Sequence, residues 1–357
     1  MQTAQNKVVF VSMSDVASGA ESVLLMAALA SKAPILFLKK VADRGLKIPA
    51  GHDIKYVTDK SMFAGFLGLI NLLKPYRSGY VIFSTHPYLN AWLGFLKRIG
   101  YLESKLIARE CTSVFTRYNG LKKWSYQLAY RLGYPAINLV VCQTKLMRDD
   151  FLKNVTFVKA QKVIIQENPI DQAQIKLSAG LPLNDPDAGI DFICAAGRLI
   201  PEKGFSVLIR AFLYIKKKHP DLKLLIFGEG PQKIMLEKLI TAYRLESRVI
   251  LKGWTDNPMP YFKHAKICVV SSLKEGFPNV LLQMMILNPA VVSTLCAGEI
   301  ENIPGITKAE VNNAIDLAFA ISSTMNKRVS ASKKLVQQFL HNRNPGFFID
   351  SILNALQ

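Results

Sequence analysis

No stretch of this sequence reaches the ~20 consecutive apolar residues that a membrane-spanning helix needs. The nearest approach, MFAGFLGLINLL at 62–73, is interrupted by Gly65, Gly68 and Asn71 and reads as a buried or interfacial helix. The opening segment MQTAQNKVVFVSM lacks the basic-then-apolar order and the cleavage site of a secretory leader, so no leader is expected. Cysteine is scarce: Cys111, Cys142, Cys194, Cys268 and Cys296 are odd in number, widely spaced and never in a CxxC pair. Cys142, Cys194 and Cys268 lie in apolar strand-like runs and read as reduced core residues of a cytoplasmic protein, not as a disulfide framework. Paired histidine spacing is missing as well, and no metal site is proposed. Acidic residues are in deficit, 26 against 45 Lys and Arg, for a formal net charge of +19. The excess is uneven: residues 1–170 carry 23 Lys/Arg against 10 Asp/Glu, the remainder 22 against 16. Such a surface attracts phosphate in nucleic acid, anionic lipid or a phosphorylated acceptor, and charge alone does not choose among them.

What is present is a globular α/β pattern. Half of the 357 residues are apolar, enough for two domains that each bury a core. Short β-rich runs at 7–13, 34–40, 52–57, 80–85, 105–110, 139–144 and 162–169 alternate with helical patterns at 20–31, 61–74, 87–99 and 119–133. Their continuous apolar character predicts a parallel sheet covered on both faces. The stretch at 171–189 is polar, rich in Pro and Gly and unpatterned, so it reads as a connection. Strand-like runs resume at 192–198, 222–230, 248–254, 267–272 and 290–295, with helical patterns at 203–218, 231–243, 278–288 and 308–325. The expectation is two doubly wound, Rossmann-like domains facing across a cleft, at 1–170 and 191–340, with a linker at 171–190. Ligands of such sheets bind beyond the carboxyl ends of the strands, which makes the residues there the candidates.

After the first strand comes SDVASGAES, with Gly19 and Glu21 ahead of a helix. It is not GxGxxG, and an acid some twenty residues on is missing from the right place, which counts against a dinucleotide site. YVIFST is followed by His86 and Pro87, a histidine placed either to face a ligand or simply to open a helix. KLIARE ends on Arg109 and Glu110, for which a surface salt bridge is the plain alternative to a role on the acceptor side. In the second half, AAGRLIPEKGF sets Arg198 and Lys203 around a turn, able to hold phosphate oxygens from two sides. FGEGP supplies Gly228, Glu229 and Gly230, where the backbone can approach a ligand closely. KEGFPNVLLQMM then puts Glu275, Gly276, Phe277 and Asn279 at the mouth of a helix opened by Pro278, with Gln283 on the same face. A helix start preceded by glycine suits an anion. Each element has a bland explanation, but three strand ends in one domain carry them together.

GRLIPEKGFSVLIRAF, LLIFGEGP, LKGW, VVSSLKEGFPNVLLQMM and AVVSTLCAGEIENI, in this order and spacing over about 190–305, resemble the C-terminal domain of the family 4 retaining glycosyltransferases of the GT-B fold. The first half resembles the same family more loosely, through SGAE, STHPYLNA and IARE. The resemblance implies that the C-terminal domain binds a nucleotide-sugar and the N-terminal domain the acceptor. It implies that Arg198 and Lys203 contact the donor diphosphate and that amides around Gly276, Phe277 and Asn279 meet phosphate and sugar. Glu275 would contact the transferred sugar near its reacting carbon, and His86 would lie on the acceptor side of that sugar. Gly228 and Glu229 would border the nucleotide, and Gly19 and Glu21 the Gly-loop. Two residues depart from the family pattern. Gln283 stands where a second glutamate usually holds the ribose hydroxyls, and Ser18 where a first glycine is common. A neutral amide can still pair with a diol, but without charge assistance.

The expected function is transfer of a hexose or N-acetylhexosamine from a nucleotide-sugar, UDP-linked by expectation, to a lipid-linked or surface-polysaccharide glycan. Neither cofactor nor metal is expected, since cations and a helix dipole can meet the leaving charge; the Asp-Pro-Asp at 185–187 reads as a decoy in the linker. The segment 97–134 holds eight Lys/Arg against two Glu, interleaved with Tyr101, Phe115, Tyr118, Trp124, Tyr126, Tyr130 and Tyr134. That mixture suits a lipid-headgroup interface, hence peripheral placement on the cytoplasmic face of the inner membrane; a solvated basic helix over a buried aromatic seam is the alternative. The tail at 344–356 is expected to form an amphipathic helix that braces the first domain, setting the last boundary at 341–357. The rivals are a catalytically silent scaffold subunit of a glycan-assembly complex and a basic nucleic-acid-binding protein. The latter leaves the strand-end residues unexplained, and no nucleic-acid partner is expected.

Overall fold

In a computed structural model, which describes residues 7–41, 45–183, 185–189, 191–326 and 333–356, the chain divides into two compact units. The first combines Met1–Pro169 with Arg343–Gln357, and the second is Ile170–Asn342. Residues 1–6, on which part of the leader reading rests, lie outside the described residues.

The first unit carries strands β1 (Val8–Ser14), β2 (Ile35–Lys39), β3 (Ile54–Thr58), β4 (Val81–Thr85), β5 (Lys105–Arg109), β6 (Leu139–Cys142) and β7 (Val163–Ile165). Its helices in this stretch are α1 (Gly19–Ala30), α2 (Met62–Leu72), α3 (Pro87–Arg98), α4 (Val114–Arg117), α5 (Gly120–Gly133) and α6 (Lys145–Asn154). The strands pair in the order β3-β2-β1-β4-β5-β6-β7, every pairing parallel. Both faces are covered, as runs such as VVFV require. One face of the sheet packs under a cluster containing Leu69, Leu89, Leu93, Tyr126 and Tyr130, the other under Val23, Leu24, Ala27 and Ala28 of α1.

The second unit holds β8 (Phe192–Ala196), β9 (Lys223–Phe227), β10 (Val249–Gly253), β11 (Ile267–Val270), β12 (Val291–Thr294) and β13 (Thr307–Ala309). Its helices are α7 (Gln172–Ser178), α8 (Phe205–Ile215), α9 (Lys233–Ala242), α10 (Met259–His264), α11 (Asn279–Leu287), α12 (Ala314–Asn326) and α13 (Lys333–His341). The parallel sheet runs β10-β9-β8-β11-β12-β13. The chain then returns to the first unit as α14 (Pro345–Ala355). Asn344 caps that helix by accepting from the N–H of Gly346 (2.7 Å) and Phe347 (3.2 Å). Phe348, Ile349 and Ile352 of α14 are buried on the α1 side of the first sheet, with Phe348 stacked on Phe83.

Two details differ from expectation. The stretch read as an unpatterned connection contains α7, whose Ile175 is buried in the second unit's core and whose start is capped by Asp171. Its seven residues are too few to show a period. Residues 308 and 309, expected to begin a helix, belong to the edge strand β13. A three-residue strand leaves no alternation to read, and the helix begins only at Ala314.

Candidate active site

In each sheet the strand order reverses once, between β1 and β4 in the first unit and between β8 and β11 in the second. Such switch points open a crevice beyond the strand ends because neighbouring connections leave toward opposite faces. The sequence candidates gather at these two places.

In the second unit, the loop after β8 carries Arg198 and Lys203, and the loop after β11 carries Glu275. They meet: Lys203 Nζ donates to Glu275 Oε1 at 2.6 Å, with both side chains largely buried. Ser272 Oγ donates to the same oxygen at 2.7 Å, and the Glu275 N–H is held by the Cys296 carbonyl at 2.8 Å. The loops are also tied through Leu273 N–H to the Glu202 carbonyl (2.7 Å) and Ser271 Oγ to the Lys203 carbonyl (2.9 Å). This closeness needs Gly204, whose φ is +63° and where a Cβ would stand 2.1 Å from the Ser271 carbonyl. Arg198 is exposed on the same loop.

The β9 loop joins them. Gly228 has φ +134°, and a Cβ there would lie 1.9 Å from the Gly197 carbonyl. The Glu229 carbonyl accepts from Leu199 N–H at 2.8 Å. Gly228 and Glu229 therefore abut the Arg198 loop. On the other side, Gly276 and Phe277 lead into α11, with Pro278 as its cap and Asn279 as its first residue, one position later than the sequence suggests. Leu281, Leu282, Met284 and Met285 of α11 are buried, while Asn279 and Gln283 are half-buried. The positive end of the helix dipole faces the Glu275 loop. Burial pushes the Cys296 thiol up to about 12, with the Glu275 carboxylate adding to the shift, so the thiol stays protonated.

Of the Asp-Pro-Asp motif, Asp185 is engaged: it pairs with Lys252 at 2.8 Å and accepts from Tyr261 Oη at 2.7 Å. The side chain of Asp187 lies outside the described residues. Among the described residues no group of three His, Cys, Asp or Glu side chains is arranged to hold a metal ion.

In the first unit, Gly19 is the first residue of α1 and Glu21 lies inside its first turn, not ahead of the helix. Ser18 donates to the Glu21 carboxylate without capping a helix N–H, and Glu21 is buried. His86 caps α3 with φ +89°, rare for a residue with a side chain. Its ring is half-buried, its Nδ1 is buried without a hydrogen-bond partner, and burial lowers its pKa, keeping the imidazole neutral. A strained backbone and an unsatisfied ring nitrogen at one position are the kind of cost that functional sites retain.

Arg109 and Glu110 correct the reading of a surface ion pair, since both are buried. Arg109 donates to Asn168 Oδ1 (2.6 Å) and to Cys111 Sγ (2.8 Å). Glu110 accepts from Tyr130 Oη at 2.6 Å and from Tyr134 Oη, with Asn90 Nδ2 at 3.5 Å. Burial raises the Glu110 pKa above the usual carboxylate range. The pair anchors the end of β5 behind His86 and does not present charge outward. The sequence reasoning missed Asn90, Tyr130, Tyr134 and Asn168 as members of this network and Ser272 beside Glu275. A polar Asn90 on the apolar face of α3, and the four-residue spacing of Tyr130 and Tyr134, were the available signals.

Two doubly wound parallel sheets with polar loops at their switch points define the GT-B fold. Residues 191–327, within the second unit, match the family model described as glycosyl transferases group 1. Among curated relatives, the chain is 32% identical over 205 residues to the N-acetylgalactosamine-N,N'-diacetylbacillosaminyl-diphospho-undecaprenol 4-alpha-N-acetylgalactosaminyltransferase of Campylobacter jejuni, covering 57% of this chain and 54% of that one. It is 36% identical over 179 residues to an uncharacterized glycosyltransferase of Methanocaldococcus jannaschii, covering 47% and 42%. The chain thus spans about half the length of the curated relatives it matches. Solved structures agree over nearly the whole chain. Anabaena HepE in complex with UDP and glucose superposes with a TM-score of 0.74 at 15% identity, covering 98% of this chain and 99% of that one. The UDP-forming alpha,alpha-trehalose-phosphate synthase of Burkholderia xenovorans superposes with a TM-score of 0.79 at 13% identity, covering 99% and 100%. At such identities the likeness concerns the fold.

Proposed function

We propose that this protein is a retaining glycosyltransferase that moves a hexose or N-acetylhexosamine from a UDP-linked donor to a lipid-linked or surface-polysaccharide glycan. The observation that carries the reading is the Lys203–Glu275 pair at the β8/β11 switch point, inside the family-matched stretch. The donor class is supported by the UDP named with the HepE structure, and the acceptor class by the diphospho-undecaprenol in the Campylobacter enzyme's name.

In this reading the second unit binds the donor. As the bond between the anomeric carbon and the phosphate oxygen breaks, negative charge grows on the departing diphosphate. Arg198, Lys203 and the N-terminus of α11, with the amides of Gly276, Phe277 and Asn279, oppose that charge and stand in for a metal ion. The engaged Asp185 supports the absence of a metal role for Asp-Pro-Asp. Ser272 and Lys203 fix Glu275 Oε1, which sets the plane in which Oε2 meets the cation-like sugar. Gln283 and the Gly228-Glu229 turn meet the ribose and base. The acceptor hydroxyl attacks on the face from which the diphosphate leaves, and its proton passes to the leaving phosphate oxygen. His86, neutral and with an unsatisfied nitrogen, lines the acceptor side in the first unit. A lipid-linked acceptor puts the enzyme at the cytoplasmic face of a membrane.

A thermal-shift panel against UDP, GDP, ADP and CMP, free and as their common sugars, tests the reading. A ligand at a hundred times its Kd adds ~2.7 kcal/mol, which moves Tm by several degrees. A selective shift with UDP or a UDP-sugar is expected. No shift with any of them in folded protein overturns the enzyme reading and favours a silent scaffold subunit, with Gln283 as the reason.

A further inference from the structure

Helix α5 has two apolar faces. Tyr126, Tyr130 and Gly133 point into the first unit's core. On the opposite side Leu121, Trp124, Leu128 and Leu132 form a second stripe at helical spacing, and it is open to solvent, with Leu121 87% and Trp124 61% exposed. The rotation of α5 about its axis is not adjustable. A Cβ at Gly133 would lie 2.0 Å from the Ala91 carbonyl, and one at Gly94 would lie 2.2 Å from the Gly133 carbonyl. Helices α3 and α5 thus touch backbone to backbone, and only one face of α5 can turn inward. The outer stripe is a consequence of that contact.

The neighbouring helix repeats the pattern. α2 packs in the same core layer as α3 and α5, with Phe66 edge-on to Trp92, and shows Phe63 (75% exposed) and Leu67 one turn apart to solvent. The charge along this stretch is mostly positive. Residues 61–134 contain ten Lys/Arg, two Glu and no Asp; with Arg109 and Glu110 both buried, nine bases remain against Glu103, the one exposed acid in that stretch. Lys122 and Arg131 are exposed on α5 itself, and the Lys122 ammonium lies 4.2 Å from the centre of the Tyr118 ring. Among the described residues no helix is long and apolar enough to cross a bilayer.

We propose that the outer faces of α5 and α2 form a docking surface for an anionic lipid bilayer, with Trp124, Leu128 and Leu121 entering the headgroup–acyl boundary and Lys122, Lys123 and Arg131 meeting lipid phosphates. Charge complementarity selects the occupant. A protein partner's apolar patch is matched by the leucines and Trp124 but gives no reason for a nearly acid-free surround, whereas an anionic headgroup layer is complementary to both features. The inference takes from the proposed function only its lipid-linked acceptor, and its test needs no catalysis, so either can fail alone.

Flotation of the full chain with vesicles of phosphatidylglycerol mixed with phosphatidylcholine, at low and at near-molar salt, provides the test. The expected result is flotation at low salt, weakened by salt and much reduced on phosphatidylcholine alone, with a blue shift of tryptophan emission. Trp124→Ser with Leu128→Ser, both at exposed positions, is expected to lower partitioning by about tenfold or more, and Lys122→Glu with Lys123→Glu by a similar factor. Both variants should keep the wild-type Tm and UDP response. Failure of the wild-type protein to float at low salt overturns the proposal, as does equal flotation of the double variants. Sedimentation gives the third arm: a wild-type dimer that Trp124→Ser with Leu128→Ser converts to monomer, without vesicle binding, makes this face a subunit interface instead.

Discussion

The two units share one plan, a parallel sheet with a single switch point, yet they spend polar residues there in different ways. In the second unit the polar groups sit on the loops and face one another across the crevice, with Lys203 bound to Glu275 and Arg198 exposed. In the first unit most are interior: Arg109, Glu110, Asn90, Tyr130, Tyr134 and Asn168 hold one another below the surface. His86 sits at the edge of that frame, strained and with one ring nitrogen unsatisfied. A largely buried ion pair is weak support for stability, because desolvation offsets the attraction, whereas it places charge well for an anionic ligand. An interior hydrogen-bonded network, even with Arg109 Nε left without a partner, does the reverse, making a rigid base for what lies above it. The second unit is thus built to meet charge and the first to hold a shape.

That contrast can be broken by substitution. Lys203→Ala removes the cation nearest Glu275 and should lower turnover by about 10²–10³-fold with little change in Tm, measured by nucleotide release. An equal loss of stability would make the pair structural and erase the distinction. Gly133→Ala acts on the first unit alone by forcing α5 away from α3. We expect a loss of about 3 kcal/mol, a Tm drop on the order of 10 °C, and an unchanged affinity for UDP in the surviving folded protein.

Smaller changes sharpen the comparison. Burial raises the Glu110 pKa, so folding retains its proton where the unfolded chain releases it. Its contribution is complete below the ordinary carboxylate pKa and is lost as pH rises through the raised value. Glu110→Gln keeps a carbonyl acceptor for the tyrosines without that titration. Its Tm, relative to wild type, should therefore improve as pH rises above the ordinary carboxylate range, read by calorimetry. A parallel pH dependence in the two proteins would contradict the buried acid. His86→Gly relieves a positive φ and should raise stability by about 1 kcal/mol while lowering transfer to acceptor. A gain in stability with full activity would make His86 a helix opener only.

Much of the second unit was legible because its site is written in short, contiguous stretches. GRLIPEKGF, FGEGP and KEGFPN each begin at the end of an apolar strand, and the loop geometry follows from Gly204, Gly228 and Pro278. The first unit was harder to read. The partners of Glu110 come from α3, α5 and the turn after α5, 20 to 24 residues away in sequence, and nothing local says that Tyr130 and Tyr134 turn inward to meet it. The surface-salt-bridge alternative for Arg109–Glu110 fell for that reason, because both side chains are buried among partners distant in sequence.

By itself the amino-acid sequence determined the alternation of strands and helices, the two sheets that follow from it, and the strand ends at which polar residues collect. Apolar runs bounded by turns act over a few residues, and the hydrophobic effect needs nothing more to choose an α/β plan. Only the tertiary structure decided which polar groups meet and which faces stay open. The Lys203–Glu275 contact joins residues 72 apart, and the outward stripe of α5 follows from a glycine-to-glycine contact with α3. Both depend on how closely two backbones approach, a distance set when elements pack and not by the order of residues within any one of them.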